Sequence, residues 1–341
     1  MTPVKQIARH PLLFLFQRHL RHVILHITER CTLRCKTCFV TKGGRDMPYR
    51  EACRIATRLG NVRWLDIGGG EPFLHPDLTA ICRLFPRSDI TIPTNGQDPE
   101  TIRDTALELA ALFRHRLTLA VSIDGPEPVN DAIRGRGSYR KAIHTVELLR
   151  EIPGLTLKIN TVVSNANLPE LLSFMRQVRA LKPDYHSLLL VRGAPDDPAI
   201  ALPSLNSLEA VTPEILNMLG SYTFGNRPYS PLGALKRRYQ RYLWHINLKT
   251  LRTQRCWVPC KAPYLHRVVY PDGSLSLCEL MPPAGNLLEE SLEVLEKRMH
   301  VFLEEYEQKH GPCFCTHNCN LGENIQTHAR SILAVLLGIV P

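Results

Sequence analysis

Three cysteines stand close together in the run Cys31-Thr32-Leu33-Arg34-Cys35-Lys36-Thr37-Cys38. Thiolates are soft ligands that suit zinc or iron–sulfur centres. Full ligation of a [4Fe–4S] cluster takes four cysteines. A set of three leaves one iron open to another ligand, which is how an iron used for chemistry is held. A zinc knuckle is the alternative, but structural zinc favours paired Cys-x2-Cys units and four ligands. Six more cysteines, Cys256, Cys260, Cys278, Cys313, Cys315 and Cys319, gather towards the other end and point to a second centre.

These residues need a frame, and the sequence supplies a strand–helix rhythm from about residue 22 to 192. Strand-like apolar runs lie at Val23–Ile27, Val62–Ile67, Asp89–Pro93, Leu117–Ile123, Leu155–Val163 and His186–Val191. Helical patterns are expected near 49–59, 76–85, 99–114, 138–151 and 168–181. Six strands alternating with helices predict an α/β fold, its parallel sheet curled into a barrel or laid out doubly wound. Chemistry in such folds collects at the C-terminal strand ends. There the sequence places Gly68-Gly69-Gly70-Glu71, Thr94-Asn95-Gly96 and Ser122-Ile123-Asp124-Gly125.

The 341 residues allow one large or two modest domains, and 44% hydrophobic with 22% charged residues is ordinary for a globular protein. Residues 1–10 are mixed and charged, and Pro11–Phe16 is a short apolar patch, not a clear secretory signal. With 11 cysteines and no such signal, metal ligation in a reducing cytoplasm is the better reading than disulfides. A net charge of +10 reads first as a solvated basic surface, and nucleic acid is not an expected partner. No apolar run is long enough to span a bilayer. The stretch Ser331–Val340 is read as capping the core, docking a partner or touching a membrane.

The cysteine triplet, followed by Gly-Gly-Glu-Pro, Thr-Asn-Gly and Ser-Ile-Asp-Gly at three successive strand ends, resembles the radical SAM superfamily. That resemblance implies a partial (β/α)6 TIM-like barrel over 21–195. It also implies a catalytic [4Fe–4S] cluster on Cys31, Cys35 and Cys38 and S-adenosylmethionine (SAM) as its ligand. Gly69, Gly70 and Glu71 would meet the SAM amino group, Ser122 and Asp124 the ribose, and Asn95 the methionyl part. Arg134 would pair with the SAM carboxylate, and Val162 and Val191 would pack on adenine. The residue before the third cysteine is commonly aromatic in this family; here it is Thr37, with Phe39 next. A one-electron donor such as flavodoxin or ferredoxin is implied as partner.

The chain changes character after about 195, where Ala194–Pro198 is turn-rich. A helical extension is expected over 1–20, a basic helical connector over 196–255 and an apolar tail over 326–341. Val268–Leu277, with Pro271-Asp272-Gly273 at its turn, predicts a hairpin between Cys260 and Cys278. Residues 256–325 resemble the SPASM or twitch auxiliary-cluster domains. That implies a second [4Fe–4S] cluster on Cys260, Cys278, Cys315 and Cys319, with Cys256 or Cys313 as replacements. Cys53 and Cys82 are read as buried small hydrophobes. His26, His75, His186 and His266 are discounted as ligands, His317 is kept in view, and Glu279 and Asp272 are weak candidate proton acceptors. The expected function is hydrogen abstraction from a small-molecule or lipid-like substrate by a 5′-deoxyadenosyl radical. A maturase of a ribosomal peptide, or a non-enzymatic zinc- or iron–sulfur-binding interaction protein, are the alternatives.

Overall fold

The structure is a computed structural model that describes residues 22–226, 229–311, 313–314 and 316–341, with nothing stated of the His300 side chain. The expected extension over 1–20 and Cys315 lie outside the described residues.

Six strands run in chain order: β1 (His22–Thr28), β2 (Trp64–Gly69), β3 (Asp89–Thr94), β4 (Leu117–Ser122), β5 (Leu155–Val163) and β6 (Tyr185–Leu190). Each is parallel to its sequence neighbour. Helices α1 (Tyr49–Leu59), α2 (Leu78–Arg83), α3 (Pro99–Phe113), α5 (Ser138–Arg150) and α6 (Leu171–Ala180) make the crossovers, close to the expected spans. One more, α4 (Glu127–Arg134), sits between β4 and α5. Alternation divides the strands into two faces. Val23, Leu25 and Ile27 of β1 join Leu65, Ile67, Ile90, Ile92, Leu117 and Leu119 in one apolar core with the helices. The opposite face, carrying His22, His26, Asp66, Lys158 and Asn160, lines the inside of the curled sheet. This is the partial TIM-like barrel expected from the sequence.

The C-terminal segment joins the same sheet. The expected hairpin forms from β7 (His266–Val269) and β8 (Ser274–Ser276), antiparallel with Val269 opposite Leu275. However, β7 also pairs in parallel with β1, His22 opposite His266. With β9 (Gly285–Asn286) the strand order is β6-β5-β4-β3-β2-β1-β7-β8-β9. The connector is helical, as α7 (Leu205–Leu219) and α8 (Pro231–Thr253). After the short α9 (Ala262–Leu265) and the hairpin come α10 (Leu292–His310), α11 (Asn318–Thr327) and α12 (Ala329–Leu337). The start of α11 reaches β6, where Asn318 Nδ2 donates to Leu188 O at 3.0 Å. Among the described residues no helix is long and apolar enough to cross a membrane.

Candidate functional site

The cysteine loop leaves β1 at Thr28 and is pinned by the end of β2. Gly70 N donates to Thr28 O and Glu71 N to Arg30 O, both at 2.7 Å. A Cβ on Gly69 would stand 2.2 Å from Thr28 O, and one on Gly70 2.1 Å from Arg30 O. Gly69 also has φ +114°, a region glycine tolerates best. The two glycines therefore let the backbone of the loop lie directly on the strand end that carries Glu71.

Glu71 is buried. Its carboxylate accepts from Asn95 N at 2.6 Å and Thr94 Oγ1 at 2.9 Å. Burial pushes it up to about 7, against the pull of the Asn95, Thr94 and Phe73 donors. Asn95 then reaches the cysteines: its Nδ2 lies 3.6 Å from Cys31 Sγ and donates to Thr32 Oγ1 at 3.0 Å. On the other side, Arg134 places one guanidinium nitrogen 3.8 Å from Cys35 Sγ and another 2.8 Å from the Asp124 carboxylate. Asp124 is fully enclosed and also accepts from Val162 N at 2.8 Å. Ser122 and Val162, at the ends of β4 and β5, are half-buried, and Val191, just past β6, is buried. Thr37 is buried, and Phe39 lies under the Arg192 guanidinium, 5.0 Å from centroid to cation.

Cys31, Cys35 and Cys38 are free thiols, each half-buried. Burial pushes Cys35 up to about 11, the Arg134 charge opposing it, so metal binding must displace protons. Among the described residues, no group of three or more His, Cys, Asp or Glu side chains stands ready around a single metal ion. The donor set itself suits a thiolate-ligated cluster: three soft sulfurs on one loop, an amide donor at Cys31 and a guanidinium at Cys35. The radical SAM superfamily model matches residues 25–178.

The chain carries a radical SAM domain. Over 169 residues it is 31% identical to an S-adenosylmethionine-dependent nucleotide dehydratase of Selenomonas ruminantium, covering 46% of this chain and 61% of that one. It is 28% identical over 154 residues to the mycofactocin maturase MftC of Mycobacterium tuberculosis, covering 43% and 39%. The chain thus matches less than two thirds of the length of these curated relatives. In fold it is similar to Streptococcus suis SuiB bound to the precursor peptide SuiA (TM-score 0.60, 17% identity, 87% and 70% covered). It is equally similar to anSMEcpe with bound AdoMet (TM-score 0.60, 14% identity, 94% and 96% covered).

Beyond the radical SAM motifs, the C-terminal cysteines fall into two places. Cys313 is pushed up to about 12 by burial first and then by Cys260, Cys278 and Cys256, so these four share one neighbourhood. Cys319 is elsewhere. It lies inside the barrel, its Sγ 4.0 Å from Asp66 Oδ2, where burial and then the Asp66 and Glu279 charges raise it to about 12. The expected grouping of Cys319 with Cys260 and Cys278 thus meets a different arrangement. The reason is that α11 begins at Asn318 and turns Cys319 towards β2. Cys82 is buried in the core, whereas Cys53 on α1 is half-buried.

Sequence reasoning gave little weight to the barrel interior, which is strongly polar. Glu279, next to Cys278, exposes only 10% of its side chain and lies 3.3 Å from His26 Nε2 on β1, 2.8 Å from His317 Nε2 and 3.3 Å from Arg192 just past β6. One carboxylate thereby ties together strand β1, the segment after β6 and the C-terminal segment. Burial pushes Glu279 up, but its His26 and His317 partners and the Arg192 charge outweigh that and hold it well below the ordinary range. Deeper in, His22 Nε2 lies 3.0 Å from Asp66 Oδ2, and the His22 ring meets His266 edge-on at 4.8 Å. Among the described residues, both ring nitrogens of buried His266 and the Asn160 side-chain oxygen have no hydrogen-bond partner. The available signal was alternation: His22 and His26 on β1 stand four residues apart and Lys158 and Asn160 on β5 two apart, each pair on one face of its strand. Asp272 lies in the exposed hairpin turn, where its carboxylate accepts from Ser274 N.

Proposed function

We propose that this protein is a radical SAM enzyme that cleaves SAM reductively and abstracts hydrogen from a polar small molecule held inside the barrel. The observation that carries this reading is Asn95. It joins Glu71 through its backbone N–H and Cys31 through its side chain, so the SAM-binding and cluster-binding elements form one hydrogen-bonded unit.

Cys31, Cys35 and Cys38 would hold the catalytic [4Fe–4S] cluster, and Cys256, Cys260, Cys278 and Cys313 an auxiliary one. Bound there, the catalytic cluster would supply the one-electron reduction that SAM cleavage needs. Glu71 would supply a counter-charge for the SAM ammonium, and a cation beside this buried carboxylate would offset the burial that raises it to about 7. Ser122, half-buried at the end of β4, would meet the ribose. Asp124 acts by holding Arg134 beside Cys35, because its own oxygens are taken up by Arg134 and Val162 N. Enclosure by the barrel and the Glu279 tie would limit the access of water to the site. The unpartnered His266 and Asn160 atoms supply hydrogen bonds to a polar substrate. A substrate with a long apolar body would present its polar end to them. A one-electron donor such as flavodoxin or ferredoxin completes the reaction.

A ribosomal peptide is the second reading, favoured by the similarity to MftC and by the fold shared with SuiB. Anaerobic reconstitution should load about seven to eight irons per chain. The reduced protein should then release 5′-deoxyadenosine from SAM, and Cys35→Ala should abolish this. Protein that takes up zinc but no iron overturns the enzyme reading. A panel of polar metabolites against synthetic peptides then separates the two substrate classes.

A further inference from the structure

We infer that the C-terminal helix and the basic helix beneath it form a docking face for an anionic lipid surface. The inference does not rest on the catalytic reading. Helix α12 buries Ser331 and Val335 against α8 and leaves its other side open. Leu333, Leu336, Leu337, Ile339 and Val340 are 57%, 51%, 62%, 56% and 42% exposed. Five neighbouring apolar side chains in water are an unfavourable surface unless something covers them.

The charge around them selects the cover. Arg330 lies one turn before Leu333 on α12, and Arg238 donates to Leu336 O at the helix end. Arg241 and Arg238 form one wall of a shallow groove whose other wall is Leu337–Val340. Helix α8 carries six Lys or Arg residues and no Asp or Glu in 23 residues, and 329–341 has no acid either. Apolar side chains projecting between arginines are the composition of a segment that inserts at the headgroup level of an anionic leaflet. The leucines bury among acyl chains while the long arginine side chains reach the phosphates. A second copy of the same face fits worse. An isologous contact would bring the two sets of arginines together with no acid on either helix to pair them.

The test uses the full, iron-loaded chain. It should co-sediment with phosphatidylcholine vesicles containing about one third phosphatidylglycerol and much less with phosphatidylcholine alone. Salt should weaken the binding. Leu333→Ser/Leu336→Ser/Leu337→Ser should reduce it by roughly tenfold or more. Because these side chains are exposed, iron content and melting temperature should not change. Arg241→Glu/Arg330→Glu should lower binding and flatten its salt dependence. Equal binding to neutral vesicles, or binding to neither, overturns the proposal. So does concentration-dependent dimerisation that the leucine variant abolishes, which would assign the face to a second copy. Vesicle binding that survives the leucine changes but is lost with residues 1–20 also overturns it.

Discussion

Asp124 and Arg134 form a buried ion pair, with 2.8 Å between the guanidinium and the carboxylate, at the strand end that faces Cys35. Breaking such a pair leaves an uncompensated charge in the interior, whereas removing both partners does not. Asp124→Ala should therefore destabilise the protein by roughly 3–5 kcal/mol in urea unfolding. The double variant Asp124→Leu/Arg134→Met should recover most of that loss. It should still load iron poorly, because Cys35 has lost its cationic neighbour. A double variant as unstable as the single one would mean that Asp124 acts chiefly through Val162 N.

The close approach at the end of β2 gives a second expectation. Gly70→Ala sets a methyl 2.1 Å from Arg30 O, a backbone atom that cannot swing aside. The loop must shift, and the cysteines shift with it. The variant should lose iron on reconstitution and melt well below wild type. Gly44 lies in the same loop with nothing within 4 Å of an added Cβ, so Gly44→Ala should match wild type in both measurements.

Much of this was legible from the chain. The six strands and most helices announced themselves because apolar periodicity and strand-end glycines are local signals. What alternation could not convey was the partner of β7. The Val268–Leu277 hairpin reads as a self-contained unit, and only the three-dimensional register of His22 against His266 makes it an extension of the barrel sheet. The same holds for Glu279. Its weight comes from His26, 253 residues away in sequence, and from Arg192, 87 away. The Cys319 thiol is a further case: spacing suggests ligation, and only the start of α11 shows that it faces Asp66.

The two locations of the C-terminal cysteines make iron content a direct readout. Cys256→Ala or Cys313→Ala should lower reconstituted iron by about four per chain if the four neighbouring thiols hold one [4Fe–4S] cluster. Cys319→Ala should leave iron unchanged, since its surroundings are Asp66 and other barrel groups. Loss of iron in Cys319→Ala with none in Cys256→Ala would restore the ligand set read from spacing. Mössbauer or EPR spectra of each variant would show which cluster had gone.

Stability should fall on mild acidification, and His186 is one identifiable cause. It lies on the helix-facing side of β6, fully buried against Phe174. The Thr161 hydroxyl donates to Ile123 O at 2.6 Å, so its oxygen accepts from His186 Nε2 at 2.8 Å. The ring is thus held neutral, and burial depresses its pKa to about 3. The unfolded chain takes up a proton near 6.5 and the folded chain does not. Stability is therefore full above that value and declines as pH falls from about 6.5 towards 3. His186→Gln keeps a donor for Thr161 and removes the titration. Between pH 6 and 5 its unfolding free energy should fall less steeply than wild type, by up to about 1.4 kcal/mol per pH unit. Urea unfolding at a series of pH values measures both slopes, and parallel lines would show that the ring is protonated in the folded state.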